Sequence, residues 1–327
     1  MRRIGLITIP LIAVAAVAGC GSSSSSSSSS GTDAKVAASG SFGNSPSVTF
    51  PAAKSDGRLA VKTLIRGSGP AMTKADSFVG NYVAYIWSGS GHRLAQDTFK
   101  TKTPQLFAGK ALLPGLEKGL IGQKMGSRVL IVIPPADGYG KSGNPQAGVK
   151  GTDTLVFVVD MLKEFSDSAG ASGAKVSTGG GSLPTVTTAS AGSAPKIKVP
   201  SSKPPSSLVA KTLLRGSGPA IKQGDTVVVQ YTGAIWRTGK VFDQSWARGE
   251  PFGFQLGATP SQVIPGWDKG LAGQHVGSRV LLVIPPADGY GKAGASQAGI
   301  KGTDTLVFAV DVLGALGPGQ PAGGSGS

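Results

Sequence analysis

The sequence predicts two α+β domains, each an antiparallel β-sheet curved around one short α-helix. Three observations lead to this prediction. The chain repeats itself, several segments of each repeat alternate apolar and polar residues and are rich in β-branched side chains, and one segment of each repeat is typical of a helix. The 51 glycines and 22 prolines indicate many turns, and a hydrophobic content of 39% supplies a core for each domain.

The internal repeat sets the domain boundaries. Residues 126–162 align with residues 277–313, and 30 of these 37 positions are identical. A unit of the size seen here is a complete domain, because solenoid repeats are only about 20 to 50 residues long. We therefore expect one domain at residues 45–165 and a second at residues 194–315.

The elements of the second unit follow from its local patterns. DTVVVQYTG, SRVLLVIP and DTLVFAVDVL are typical of strands. PGWDKGLAGQ is typical of a short helix, since it has an early proline, a charge in its first turn and a glycine near its end. The first unit contains corresponding segments and predicts the same elements.

The N-terminus is typical of an export signal. Two arginines precede an apolar stretch that is too short and wrongly flanked for a good membrane span. The ending VAGC resembles the lipobox of bacterial lipoproteins, in which the cysteine becomes the lipidated first residue. We therefore predict a lipoprotein signal peptide at residues 1–19 and lipidation of Cys20, the only cysteine in the chain. The alternative is a chance cysteine after an ordinary signal peptide.

Three further segments have compositions that cannot build a core. Residues 20–44 contain a serine run, residues 166–193 are rich in glycine, serine and proline, and residues 316–327 are mostly glycine and small residues. We interpret them as a flexible tether, a linker and a disordered tail. Together with the lipid, they predict a monomer held on the extracytoplasmic face of the cell membrane.

The charge of the chain restricts its partners. The formal net charge is +15 at pH 7, but the lysines and arginines are scattered and do not form a stripe. For an exported protein this argues against nucleic acid. Anionic lipid headgroups or wall polymers are candidate partners, and a solubilising surface charge is the alternative.

The sequence contains no motif that is typical of a covalent catalyst or a metal site. His92 and His275 lie in different units, without a cysteine or a neighbouring histidine, and neither stands near a serine in a nucleophile motif. The turn around GYGKSGN lacks the glycine that a phosphate loop needs at its start. We expect no cofactor, no metal and no covalent catalyst.

Aromatic residues are spread through the second unit, at predicted strand ends and loop margins where pockets form. They are Tyr231, Phe242, Phe252, Phe254, Trp267, Tyr290 and Phe308. Any one of them alone is more simply explained as core. However, YTG, VFD, PFGF, VIPGW, VGSRV, the tyrosine-glycine turn and DTLVFAVDVL occur in the order and spacing of the FK506-binding-protein (FKBP) family of peptidyl-prolyl cis/trans isomerases. The resemblance covers essentially all of the second unit, and the first unit resembles the same fold with a weaker motif set.

The resemblance implies a pocket for a proline ring in the second unit, with Trp267 as its floor. Its walls would be Tyr231, Phe242, Phe252, Val263 and Phe308. The backbone N–H of Ile264 and the hydroxyl of Tyr290 would bind substrate carbonyls, and Ile300 would close one side. FK506- or rapamycin-like macrolides are expected ligands, although Gln262 stands where a carboxylate is often found.

Asp243 is the one carboxylate that the resemblance places at the pocket edge. It would accept a hydrogen bond from Tyr231 or pair with Arg248, and would orient the polar groups around the twisting amide. The alternative is a carboxylate with a structural role in a turn.

The first unit keeps only part of this set. It retains Tyr82, Tyr139 and Phe157, and its TPQLFAG has no Phe-x-Phe. Aligned by sequence, it carries Leu94, Ala95 and Leu116 in place of Phe242, Asp243 and Trp267. We predict a degenerate domain that is weak or inactive as an isomerase, in which Asp97 is a candidate to replace the missing carboxylate.

The predicted function is a membrane-anchored peptidyl-prolyl isomerase that assists the folding of exported, proline-containing polypeptides. Rotation about an X-Pro bond faces a barrier of about 18 to 20 kcal/mol. An apolar cavity favours the twisted, less polar amide over the planar ground state, without covalent chemistry. The alternatives are a non-catalytic holdase and an envelope-polymer binding module built on the same fold.

Overall fold

The computed structural model describes residues 31–177, 181–188, 190 and 192–317. The predicted signal peptide, Cys20 and most of the predicted tail lie outside these residues. The described chain forms two compact units that divide between Glu164 and Phe165. Each unit is an α+β domain built on one antiparallel sheet, so the predicted fold class is confirmed.

The elements of the first domain are β1 (Ala37–Ser39), β2 (Ser47–Thr49), β3 (Ala60–Ile65), β4 (Asp76–Ser88), β5 (Gly91–Asp97), α1 (Thr98–Thr101), β6 (Gln105–Phe107), α2 (Pro114–Leu120), β7 (Arg128–Ile133) and β8 (Thr154–Ser166). Its main sheet has the strand order β3-β7-β8-β4-β5, and β6 pairs with β4. Short 3-10 helices lie at Asp33–Lys35, Gly109–Ala111, Pro135–Asp137, Gly140–Ser142 and Pro145–Ala147.

The elements of the second domain are β9 (Ala174–Lys175), β10 (Thr185–Thr187), β11 (Lys196–Lys198), β12 (Val209–Arg215), β13 (Thr226–Ile235), β14 (Val241–Gln244), α3 (Ser245–Arg248), β15 (Phe252–Gln255), α4 (Pro265–Leu271), β16 (Arg279–Ile284) and β17 (Leu306–Leu316). Its main sheet repeats the arrangement of the first domain, with the strand order β14-β13-β17-β16-β12-β9 and with β15 paired to β13. Its 3-10 helices lie at Pro286–Asp288, Gly291–Ala293 and Ser296–Ala298.

The predicted helix of the second domain, α4, packs closely on one face of the sheet. Gly266 and Gly270 make this approach feasible, because a Cβ at either position would lie 2.6 Å from the side chain of Ile284 or Leu282. Leu271 is fully buried against the same face. Placing α4 this close to the sheet encloses the core on which the candidate site stands.

The opposite face of the second sheet is covered by the segment predicted to be a linker. Within residues 183–199, here called the second strap, β10 and β11 pair antiparallel. Leu183, Val186, Ile197 and Val199 of this strap pack against Trp236, Leu281, Val283 and Val307 of the sheet. The described part of residues 166–193 is therefore part of the second domain rather than a free linker, because its few apolar residues alternate and bury one side.

Residues 33–50, here called the first strap, cover the corresponding face of the sheet in the first domain. There β1 pairs with β2, and Val36, Ala38, Val48 and Phe50 pack on the sheet face formed in part by Val83, Trp87, Leu130 and Val158. Val36 is fully buried. From residue 33 onward the predicted flexible tether is thus ordered, and each repeat begins about 12 residues earlier than the sequence alignment indicated.

A buried ion pair holds the first strap to its sheet. Arg128 on β7 and Asp160 on β8 are both fully buried, and Arg128 Nε lies 2.5 Å from Asp160 Oδ1. Arg128 also donates to the strap carbonyls of Gly40 and Asn44 at 2.8 and 2.7 Å, while the N–H of Gly43 donates to Asp160. Satisfied polar groups of this kind under the strap fix its position.

The second domain repeats the ion pair. Arg279 Nε lies 2.6 Å from Asp311 Oδ1, and Arg279 Nη1 donates to Thr188 Oγ1 at 3.2 Å. The N–H of Ala171 donates to Asp311. Sequence patterns did not predict either pair, because each arginine follows a serine in a strand and resembles a surface residue.

Candidate active site

Trp267 is the centre of an aromatic cluster in the second domain. Trp267 is the third residue of α4, which follows Ile264. Its indole faces the sheet, and the residue is 3% exposed. Four rings pack edge-on against it, with centroid distances of 5.1 Å for Tyr231, 5.3 Å for Phe308, 5.7 Å for Phe254 and 6.1 Å for Phe252. Phe242 in turn packs edge-on against Phe308 at 5.6 Å. The predicted floor and aromatic walls are thus brought together.

A polar group of three side chains borders these rings. The hydroxyl of Tyr231 donates to Asp243 Oδ2, Arg248 Nη1 lies 2.5 Å from Asp243 Oδ1, and Arg248 Nη2 donates to Tyr231 Oη at 2.9 Å. The guanidinium carbon of Arg248 lies 5.6 Å from the Tyr231 ring centroid, a cation–π distance. Both predicted contacts of Asp243 are present, and its 41% exposure places it at the edge rather than inside the core.

Burial sets the protonation of Tyr231. Desolvation raises the pKa of its hydroxyl far above the usual value, and the hydrogen bond to Asp243 raises it further. The group therefore remains a hydrogen-bond donor throughout the physiological range.

Ser245 positions this polar group, a role that no sequence motif indicated. Its buried hydroxyl accepts from the N–H of Tyr231 at 2.8 Å and donates to Gln230 Oε1. This fixes the start of α3 to β13. Arg248, at the last position of the same short helix, is thereby directed to Asp243.

The remaining predicted residues surround the cluster. Val263 and Ile264 are half-buried and pack against it, and Ile300 is buried in it. Within the described chain the N–H of Ile264 donates to no protein acceptor, since Ile264 is the N-cap of α4 and an N–H at a helix start has no acceptor within the helix. Tyr290 is 42% exposed. Partial burial and the nearby charge of Asp243 raise the pKa of Tyr290, so its hydroxyl also remains a donor.

Comparison with known proteins decides the family. Residues 69–162 and 218–313, more than half of the chain, match the family model described as FKBP-type peptidyl-prolyl cis-trans isomerase. The chain belongs to this family. The enzyme class of the family is peptidyl-prolyl cis/trans isomerase, and its members generally bind proline-containing substrates and FK506-like ligands.

Several curated FKBPs are similar to the chain. It is 44% identical over 119 residues to the FK506-binding protein of Streptomyces anulatus, a match that covers 36% of this chain and 94% of that protein. It is 47% identical over 106 residues to the FKBP-type peptidyl-prolyl cis-trans isomerase FkpA of Escherichia coli, covering 32% of this chain and 37% of that protein. The crystal structure of FkpA matches at a TM-score of 0.31 and 44% identity, over 35% of this chain and 49% of that one.

The first FKBP domain places different residues around its corresponding site than the sequence alignment predicted. On β13 and β14 Gly233 pairs with Asp243, whereas on β4 and β5 the matching Ala84 pairs with Gln96. The β4–β5 hairpin is two residues longer, so the sequence alignment was wrong by one position. Gln96 therefore replaces Asp243, Ala95 replaces Phe242, and Leu94 matches Val241.

Other replacements in the first FKBP domain follow from the same pairing. Phe78 and Val227 occupy matching positions on β4 and β13, and their strand partners are Phe107 and Phe254. Phe107 therefore matches Phe254, so the first domain keeps one ring of the Phe-x-Phe pair. Gln105 stands where Phe252 does. The ring of Phe107 lies 5.4 Å from that of Tyr82.

Asp97 does not replace the missing carboxylate. It caps α1 by accepting from the N–H groups of Phe99 and Lys100, and it accepts from the Ser45 hydroxyl of the first strap at 2.9 Å. Because neighbouring residues of a strand face opposite sides, Asp97 lies on the side away from Gln96. Thr101 also replaces Arg248, so both partners of the Tyr231 hydroxyl are lost together.

The first domain is closed where the second is accessible. Leu113, which matches Ile264, is fully buried, and Leu112, which matches Val263, is 7% exposed. Arg93 Nη2 donates to the carbonyl of Gly148 at 2.8 Å and joins the longer hairpin to the loop across the site. Among the described residues the buried hydroxyl of Tyr82 has no hydrogen-bond partner.

The described residues contain no group of three or more histidine, cysteine, aspartate or glutamate side chains placed to hold a metal ion. They also contain no helix that is long and apolar enough to span a membrane.

Proposed function

We propose that the second FKBP domain carries the peptidyl-prolyl isomerase activity of this chain. The observation that supports this most directly is the aromatic cluster around Trp267, bordered by the polar group of Tyr231, Asp243 and Arg248. The proline ring of the substrate binds over Trp267. Rotation about the X-Pro bond is accelerated because the twisted amide has lost its resonance and is less polar than the planar one.

Hydrogen-bond donors hold the ends of the substrate while the bond turns. The N–H of Ile264 and the hydroxyl of Tyr290 bind carbonyl oxygens on either side of the twisting amide. Asp243, held by Tyr231 and Arg248, keeps the polar edge in place and orients the carbonyl that leaves the amide plane. None of these steps requires a covalent intermediate.

The first FKBP domain is proposed to be weak or inactive. Leu116 replaces Trp267, and Gln96 and Thr101 replace the ion pair. The backbone N–H of Leu113 is buried, so it is not available to a substrate carbonyl as that of Ile264 is.

The cellular setting of the activity is also a proposal. The export signal and the VAGC motif support lipidation of Cys20 on the extracytoplasmic face of the membrane, and the clients would then be exported proline-containing chains. Their uncatalysed isomerisation takes tens to hundreds of seconds, which is slow enough to limit folding. FK506- or rapamycin-like macrolides are proposed ligands of the same pocket.

The test is the catalysed isomerisation of a short X-Pro peptide by the full chain. Trp267→Leu, which introduces the residue of the first domain, should lower kcat/KM by roughly tenfold or more, because the floor under the proline ring is lost. The matched control is Leu116→Ala in the first domain, which should leave kcat/KM unchanged. Unchanged activity in Trp267→Leu together with a loss in Leu116→Ala would place the activity in the first domain.

A further inference from the structure

The edge of the second sheet shows how this fold binds an extended segment. Strand β9 pairs antiparallel with β12, with Lys175 opposite Leu214 and Ala174 opposite Arg215. The N–H of Val176 donates to Leu213 O at 3.0 Å. These contacts use main-chain atoms of the edge strand, so they depend little on side-chain identity.

Two residues before β9 extend this contact to the neighbouring turn. The N–H groups of Ser172 and Gly173 both donate to the carbonyl of Gly277, at 3.1 and 3.0 Å. Gly173 fits closely, because a Cβ there would lie 2.3 Å from the carbonyl carbon of Arg215. The edge therefore requires a glycine at this position of the segment that it binds.

The first domain has the same edge without such a segment in the described residues. There β3 is the last strand of the sheet. Leu64 O and Gly126 O, which match the acceptors Leu213 O and Gly277 O, accept no main-chain hydrogen bond from the described part of the chain. Val61 is 39% exposed on this strand, where the second domain has Ala210. At this position the unpaired edge presents the larger apolar side chain.

We propose that the β3 edge of the first domain binds an extended, glycine-containing segment of an unfolded client polypeptide by strand addition. This rests on the proposed function, in which the clients are proline-containing chains that have not yet folded. Such chains present unpaired N–H groups for Leu64 O and Gly126 O and apolar side chains for Val61, whereas a folded partner has already paired its own backbone. The first domain then holds a client without needing an isomerase pocket.

Hydrogen exchange of the full chain provides the first test, with a reduced, carboxymethylated, proline-containing protein as the client. Strand β9 lies on the side of β12 away from β16, so the matching side of β3, away from β7, is the open edge that a client would cover. Client binding should slow exchange in a peptide that spans Ala60–Ile65 and leave the matching Val209–Arg215 peptide unchanged.

A matched pair of variants provides the second test. Val61→Lys places a charge on the open edge and should weaken client binding roughly fivefold, because lysine on an edge strand opposes strand pairing. Ala210→Lys makes the same change on the edge that β9 already occupies and should have no effect. A synthetic peptide of residues 170–177 should compete with the client, and the same peptide with valine at the place of Gly173 should not.

Several results would overturn the proposal. Slow hydrogen exchange of β3 in the chain without client would show that residues before Gly31 cover the edge. Slowing that depends on the concentration of the chain alone would show that a second copy of the chain covers it. Equal protection of the Val209–Arg215 peptide by the client would show that client binding is not specific to the β3 edge. Trp267→Leu separates the two proposals, because it should lower kcat/KM for the short peptide and leave β3 protection by the client intact.

Discussion

Two tyrosines at matching positions have hydroxyl groups in different environments, one hydrogen-bonded and one buried without a partner among the described residues. Tyr231→Phe removes the hydroxyl that bonds Asp243 and Arg248, so we expect a roughly tenfold loss of kcat/KM on a short X-Pro peptide. Tyr82→Phe removes a buried hydroxyl with no partner among the described residues, so it should stabilise the first domain by about 1 kcal/mol. Kinetics on the short X-Pro peptide measure the effect of Tyr231→Phe on activity, and urea unfolding measures the effect of Tyr82→Phe on stability. A loss of stability in Tyr82→Phe would show that its hydroxyl has a partner, such as a buried water.

At this scale the sequence predicted which side chains lie together in the second domain well, and predicted the matching positions of the first domain poorly. Trp267, Tyr231, Asp243 and their neighbours stand in a strong motif, and the structure brings them together. The one-position error at Gln96 arose because the β4–β5 hairpin carries two extra residues, and hairpin length is not visible until strand pairing is known. The closing contact of Arg93 depends on that same longer hairpin.

At the scale of elements, the straps depend on their buried ion pairs. Arg128→Met leaves Asp160 buried without its cation and removes the donors to Gly40 O and Asn44 O. The first domain should lose about 3–5 kcal/mol of unfolding free energy, because an unpaired buried charge is costly. Urea unfolding followed by hydrogen exchange should show this loss in the first domain alone. A matched Lys141→Met variant, at an exposed position, should have no effect, and a similar cost in both variants would contradict the assigned role of the pair.

The sequence predicted the sheet and the helix of each domain but missed the straps. The sheet strands are long and rich in β-branched residues, and α4 has clear start and stop signals. The straps contain strands of only three residues among serines, glycines and prolines, so their composition resembles a linker. What makes them ordered is the apolar sheet face beneath them, a tertiary effect that local pattern does not reveal.

At the scale of the whole molecule, the second strap determines where an independently stable second domain must begin. A chain of residues 165–317 keeps β9, the Asp311 contact of Ala171 and the whole strap, whereas residues 194–317 lose Leu183 and Val186 and uncover the sheet face. Losing two apolar side chains from a packed face costs on the order of 2–4 kcal/mol.

We therefore expect the shorter chain to unfold at lower urea concentration than the longer one. Both should retain isomerase activity under native conditions, because the pocket around Trp267 lies on the other face of the sheet. Urea unfolding followed by tryptophan fluorescence, to which Trp236 beneath the strap contributes, together with peptide kinetics measures both properties. Equal unfolding midpoints would show that the strap adds no stability, and loss of activity in the shorter chain alone would show that the strap also shapes the pocket through the sheet.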